Sequence, residues 1–443
     1  MNGASDYAPG LSDPSPQGEH RLGPAWLIYF HAAVCCASLA YLGRIYGYAG
    51  IAYDDAHLYD AALNVIPFVL VSVLFTFARF SFGYFLGFHF YTVILGFLWL
   101  VESSKLGYDK EAASISAFAS AVAFLLPTLF ILSPILRTDV VSVRTFDRIL
   151  TAVLVASTAL IVVSAFYNFR LVDFAAASRV RSQLNEPTAL GYLDPIASNA
   201  LLPVAFATFV LRRNFWRAAL TILLLLAFYP VTLSKTALFA PFWILGITVL
   251  SKLFEARTTV VLTLFLPVVT GVVLGFLADQ DFVAYVSVRN YIGLVNLRMV
   301  AIPSSALDLY NDFFAKHDLT YFCQVNILKR LFSCPYAQPL AVMMQNAYGV
   351  GNLNASLFAT EGIASVGLAG APIAVLACGL VVALGNRVSA SLPPRYVLMS
   401  GAIIPQVFLN VPLTISLMTG GAAVLFLMWL ITPRAMFEQP RRE

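Results

Sequence analysis

Charge is the scarcest feature of this sequence. Only 11% of its 443 residues are Asp, Glu, Lys or Arg, while 60% are apolar. A soluble globular domain carries about 25% charged and roughly 45–50% apolar residues. The mean hydropathy of +0.81 agrees with that shift. A water-soluble enzyme and a disordered chain are excluded. The net charge of only +4 gives no case for a nucleic-acid partner. Five cysteines are too few for a disulfide scaffold. There is no phosphate-cradling Gly-rich loop, no paired-Cys zinc spacing and no HExxH. The five histidines, His20, His31, His57, His89 and His317, are scattered. Neither a metal nor an organic cofactor is expected, so the chemistry must use a substrate that already carries its energy, or an ion gradient.

What the chain has instead is apolar runs. At ~20 residues per crossing of a ~30 Å hydrocarbon core, it holds material for about a dozen helices. The expected fold is all-α, a polytopic membrane protein. Runs fall at 24–42, 62–78, 82–101, 113–135, 149–167, 197–211, 216–232, 236–251, 259–278, 358–385, 396–411 and 414–432. Residues 1–23 are polar and read as a disordered cytoplasmic tail, 24–432 as one transmembrane domain and 433–443 as a second cytoplasmic tail. With the N-terminus inside, the inner segments hold most of the Lys and Arg. That asymmetry places both termini in the cytoplasm.

Two segments break the tight connections. They are 168–196 and 279–357, both on the outer side in this arrangement, and long loops are uncommon unless functional. The second carries Tyr285, Tyr291, Tyr310, Phe313 and Tyr321. It is expected to form short helices against the membrane surface. Cys323 and Cys334 lie in it, either bridged or as two free thiols.

The outer basic residues are the first chemical lead. Arg170, Arg179 and Arg181 lie in the first long segment, and Arg289 and Arg298 early in the second. Guanidinium groups grip phosphate in bidentate fashion and stay charged. The alternative is ordinary solvated loop charge. Lys235, in LSKTALFA between two apolar runs, must face water, a partner or an anion. It either binds an anion or snorkels at a tight turn. Glu361 is the only acid in NLNASLFATEGIASVGLAG (352–370). It accepts a proton from a sugar hydroxyl, pairs with an Arg across the site, or is a first-turn helix acid.

Three stretches together resemble the bacterial O-antigen polymerase and ligase superfamily, which includes oligosaccharide repeat-unit polymerases. They are Arg179 and Arg181 followed by PTALGYLDPIASNALLPVAF (187–206), the turn Ser234-Lys235-Thr236, and the late stretch with Asn354, Glu361, Gly362 and Gly367. The resemblance covers roughly 165–432. It implies a multi-pass protein of the bacterial inner membrane. Its substrate would be an oligosaccharide on an undecaprenyl diphosphate carrier, used as both donor and acceptor, with a chain-length regulator as a further partner. Arginines would stabilise the leaving diphosphate without metal. Arg181, Arg289 and Arg298 would lead, with Arg179 and Lys235 behind them. Glu361 would be the base, with His317, Asp308 and Asp312 as alternatives and Asn354 as a substrate contact. Lys235 departs from the family's usual Arg. The ligase branch has a His near the late span, whereas His317 lies well before Asn354. That favours polymerase over ligase. An outward-facing transferase using a lipid monophosphate sugar is a further alternative, resting on Asp54, Asp55 and Asp60. A secondary transporter is the alternative of another class, and few charges lie inside the runs to support it.

Overall fold

The computed structural model describes residues 23–47, 51, 53–135, 141–172, 187–325, 328, 333–350 and 355–437. Among these the regular structure is entirely helical. Eleven helices are long and apolar enough to cross a membrane. They are α1 (Ala25–Tyr46), α2 (Asp55–Phe77), α3 (Phe82–Ser103), α4 (Lys110–Phe130), α5 (Val143–Tyr167), α6 (Thr188–Leu211), α7 (Phe215–Thr232), α8 (Lys235–Leu253), α9 (Ala256–Asp279), α10 (Tyr285–Phe314) and, after a short helix α11 (Leu340–Tyr348), α12 (Phe358–Ser389). The polytopic all-α architecture expected from composition is therefore the one observed. Four short helices follow: α13 (Pro394–Ser400), α14 (Ile404–Asn410), α15 (Leu413–Met418) and α16 (Ala422–Ile431).

Helix α3 is the axis. Ser81 caps it, its Oγ accepting from Tyr84 N at 3.0 Å, and every residue from Phe82 to Leu100 is buried. Helices α1, α2, α4, α9, α10, α12 and α14 all pack on it. In hydrocarbon such association rests on packing and interhelical hydrogen bonds, because lipid is as apolar as Phe. The fit is close. A Cβ at Gly96 would come within 2.2 Å of Ser304 Oγ on α10.

Depth follows from partners along α1 and α3, which run parallel. His31 bonds Thr92 at 3.0 Å in mid-helix, and the loop after α1 meets the end of α3 through Asp54 N and Ser103 Oγ at 3.1 Å. The face where α1 and α3 end is called the upper face below. Successive hairpins then put the α7–α8 turn and the α9–α10 connection on that face as well.

Helix α10 does not cross. Near its start, Arg289 O accepts from Tyr46 OH at 2.8 Å, at the upper end of α1. Farther along, Asn296 Nδ2 donates to Ser38 Oγ and Val268 O, both at 2.9 Å, inside the bundle. Ser304 Oγ then donates to Val93 O at 3.0 Å, and Asp308 meets Ser104 at the upper end of α3. The helix dips and returns, bending at Val295 (φ −104°, ψ −74°) and the π-helical stretch Leu297–Ala301. A straight helix of this length would span about 45 Å. The expectation of short surface helices over 279–357 is thus corrected for 285–314, while α11 is short as expected. From Pro303 to Phe314 every residue is buried. The dip escapes detection as an apolar run because Asn296, Arg298, Asp308, Asn311 and Asp312 dilute it.

Helix α12 is two arms. Phe358 packs between Phe90 and Phe124 at mid-depth, with ring centroids 5.0 and 5.5 Å away. The first arm rises, with Gly362 against Ala371 and Val375 of the second. Gly367, at φ 69° and ψ −179°, reverses the chain, a conformation essentially restricted to glycine. The second arm descends past Ser116, which donates to Leu368 O at 2.6 Å. It reaches Thr128, whose carbonyl accepts from Asn386 at 2.7 Å.

The expected runs 396–411 and 414–432 are also corrected. Ser400 meets Trp429 at 2.8 Å low in the bundle, while Gly420 O accepts from Asn199 of α6 at 3.3 Å. Four short pieces replace two spans because Gly401, Pro405, Pro412 and the Gly420-Gly421 pair interrupt them.

Candidate functional site

Three π-helical stretches occur among the described residues: Ala197–Leu201 in α6, Leu297–Ala301 in α10 and Phe358–Ala364 in α12. Such wide turns are frequent at functional sites, because they redirect side chains and free carbonyls. Two of them carry the residues assigned most weight from sequence, Arg298 and Glu361.

Glu361 lies on the rising arm of α12 and is 7% exposed. Thr360 Oγ1 donates to its Oε2 at 2.5 Å, and the backbone N–H groups of Leu413 and Thr414 face it from the start of α15. Tyr310 of α10 and Cys378 of the descending arm are close enough to interact with it electrostatically. Among the described residues it forms no ion pair. It lies in the first turn of its helix, as one of the expectations had it, and it is buried there. A buried carboxylate held by neutral donors where three broken elements meet can take or give a proton.

Arg298 sits at the bottom of the α10 dip. Among the described residues its guanidinium has neither a hydrogen bond nor an ion pair, and its side chain is exposed. At that depth a cation facing hydrocarbon is costly, so the position suits a hydrated cleft or an anion. Arg289 lies one arm higher, exposed, its guanidinium carbon 5.8 Å from the Tyr46 ring centroid.

Lys235 opens α8, half-buried, directly after a tight turn in which Leu233 takes φ 47°. The start of the first long segment lies against this turn. Arg170 N donates to Pro230 O at 3.0 Å, and Tyr229 OH to Val172 O at 3.1 Å. Lys235 and Arg289 thus share the upper face, with Arg298 below it. Arg179, Arg181 and Asn354 lie outside the described residues. His317 is placed by α10. Its Nδ1 donates to Phe313 O at 2.8 Å, and the ring stacks on Phe313 at 3.9 Å. No hydrogen bond or ion pair joins Arg289, Arg298, Lys235, His317 and Glu361 to one another among the described residues.

Asp308 and Asp312 form the strongest polar cluster. Asp308 Oδ2 accepts from Ser104 Oγ at 2.8 Å, and Oδ1 accepts from Tyr108 OH. Asp312 Oδ1 accepts from Gly107 N at 3.0 Å and Lys316 Nζ at 2.5 Å, and its Oδ2 from Tyr348 OH at 2.7 Å. Burial, and next the Asp308 carboxylate beside it, push the Tyr108 phenol well above its usual range. The cluster ties the returning arm of α10 to the α3–α4 loop and to α11. Its sequence signal was the pair of acids one turn apart among Leu307, Leu309, Tyr310 and Phe313.

Sequence reasoning missed Asp194 and Asn199. Asp194 is 2% exposed and accepts from Ser164 Oγ at 3.2 Å. Asn199 reaches the α15–α16 turn. Both sit in the stretch quoted for the family resemblance, where apolar neighbours hid them. Cys323 and Cys334 are bonded, with Cα atoms 5.3 Å apart. No set of three or more His, Cys, Asp or Glu is placed to hold a metal among the described residues. No protein-family model, curated protein or solved structure matches the chain.

Proposed function

We propose that this protein is a polymerase that joins undecaprenyl-diphosphate-linked oligosaccharide repeat units into a surface polysaccharide at the outer face of a bacterial inner membrane. The observation that carries the reading is Arg298, a guanidinium without a protein partner among the described residues, carried into the bundle by a helix that dips from the upper face. Such a group suits the diphosphate of a membrane-bound donor, because a charge carried below the face needs an anion or water to face it. Support for the upper face being outside comes from the Cys323–Cys334 bond, which requires an oxidising compartment. Arg79, Arg144, Arg148, Arg212, Arg213, Arg217, Arg257 and Arg387 gather at the opposite end.

In this reading the acceptor hydroxyl oxygen bonds to the anomeric carbon of the donor. The carbon–oxygen bond to the diphosphate breaks, and its electron pair leaves with the phosphate. Arg298, with Arg289 and Lys235 above it, stabilises that charge. Glu361 takes the hydroxyl proton. Holding two lipid-anchored chains at range supplies much of the remaining rate.

Arg298→Ala is expected to insert normally and to leave glycan in single-repeat form on gels of whole-cell polysaccharide. Wild-type chain lengths would refute the role. Absence of any attached glycan would point to a ligase instead. A secondary transporter stands as the second reading, favoured by helices broken at mid-depth around Glu361. It predicts normal chain length in Arg298→Ala together with lost solute uptake in vesicles.

A further inference from the structure

The reversal at Gly367 leaves the last carbonyls of the rising arm without helical partners. A short strap supplies them. Thr320 N donates to Ala364 O at 2.8 Å and Tyr321 N to Ser365 O at 3.1 Å, while Leu319 covers Gly367. The strap is an unfavourable conformation by itself. Tyr321 and Phe322 take φ 46° and 62°, a left-handed region that side chains with a Cβ rarely adopt. Two ties hold it in place. Cys323 is bonded to Cys334, and Tyr336 OH donates to Asp318 O at 2.5 Å.

The strap also reaches inward. Gln324 Nε2 lies 3.2 Å from Thr320 Oγ1, 3.3 Å from Thr360 O and 3.4 Å from Ser365 Oγ. Ser365 Oγ in turn donates to Thr360 O at 2.7 Å. The π-helical turn exposes the Thr360 carbonyl to these side chains. Thr360 is the residue whose hydroxyl holds Glu361. One amide therefore grips the peptide unit that precedes the buried carboxylate.

We infer that Gln324 is a positioning residue for Glu361, acting through Thr360, and that the Cys323–Cys334 bond holds it there. The role assigned to Glu361 rests on the proposed polymerase reading, whereas the positioning itself does not. The strap, lying outside the bundle, thus sets the geometry of a proton acceptor within it. Loss of the bond would slacken the arm without removing any residue from the site.

The test is infrared difference spectroscopy on the purified full chain, with the Glu361 carboxyl bands assigned by their loss in Glu361→Gln. Gln324→Ala is expected to shift those bands. Gln324→Glu, which keeps the shape and loses the donors, should shift them too and serves if the alanine variant does not fold. Cys334→Ser should shift them and raise amide exchange at Thr320 and Tyr321 by about tenfold or more. In Gln324→Ala that exchange should stay near wild type. Unchanged carboxyl bands in both Gln324 variants would overturn the inference, as would bands insensitive to Cys334→Ser. Shifted bands alongside wild-type chain lengths in Arg298→Ala would sink the polymerase reading and leave the positioning intact. Lost polymer with unmoved bands would do the reverse.

Discussion

The two elements that dip from the upper face reach similar depth by different means. The returning arm of α10 is held by side chains. Asp308 and Asp312 collect five donors, three from the α3–α4 loop, one from Lys316 and one from α11. The rising arm of α12 is held by backbone: strap N–H groups on its carbonyls, a glycine reversal, and small residues packed arm against arm. The first arrangement is strong and specific to two carboxylates. The second is weaker per contact and leaves its single carboxylate, Glu361, with neutral partners alone. The difference separates scaffold from site. The acids that carry structure tie separate elements together and include the Lys316 ammonium among their donors, whereas the acid assigned to chemistry sits among neutral donors.

Breaking the side-chain anchor should do the most damage. Asp312→Ala leaves the Gly107 N–H, the Tyr348 hydroxyl and the Lys316 ammonium without their acceptor. The expected cost is about 3 kcal/mol, in the range for breaking a buried charged network. Thermal unfolding in detergent should show it as a clearly lowered midpoint. Asp312→Asn keeps one acceptor oxygen and should recover part of the loss. A midpoint equal to wild type in Asp312→Ala would mean the cluster is not an anchor.

The backbone anchor is tested at Gly367. With φ 69° and ψ −179°, alanine there is strained whatever the space around it. The expected penalty is about 2 kcal/mol. It should concentrate in faster amide exchange of residues 358–366, with the α3 core unaffected. Uniform destabilisation of the whole chain would show that the two anchors are not separate.

Sequence made the frame legible and concealed the dips, for a physical reason. Hydropathy registers the apolar character of a helix and is blind to its direction. Helix α3 stood out because Phe82–Leu100 is apolar on all sides and buried on all sides. The stretches 396–411 and 414–432 have the same apolar character, yet Pro405, Pro412 and Gly420 break them. Helix α10 failed the opposite way, its polar residues lowering the average while making the contacts that bend it back. At the site, residue types pointed to Glu361 and Arg298, since an acid or an arginine within apolar surroundings needs a reason. Gln324 and Thr360 gave no signal. Their significance lies in which carbonyl and which carboxylate they meet, and the chain folds back on itself to bring those together.

A smaller effect should appear with alkali. The Tyr108 phenol titrates higher in the folded protein than its unfolded value of about 10. A raised folded value means stability is fully present below that unfolded value and falls as pH rises above it. The slope is at most about 1.4 kcal/mol per pH unit for one group. Tyr108→Phe should start lower by about 1 kcal/mol, for the lost hydrogen bond to Asp308, and then decline less steeply between pH 9 and 11. Parallel melting curves for the two proteins over that interval would remove Tyr108 from the anchor.

The smallest expected change is the most informative. Arg298 shares α10 with Asp308 and Asp312, yet it has no partner among the described residues to lose. Arg298→Ala should therefore melt within about 0.5 kcal/mol of wild type, as substitutions away from such networks do. A guanidinium with no partner among the described residues, at a depth where its charge is costly, is what the proposed donor-binding role asks for. If Arg298→Ala instead melts like Asp312→Ala, the arginine is another strut of the dip, and the contrast between scaffold and site within this helix collapses. If it melts like wild type and added short-chain polyprenyl diphosphate raises the melting point of wild type alone, structural support and ligand binding are divided between residues only a few turns apart on one bent helix.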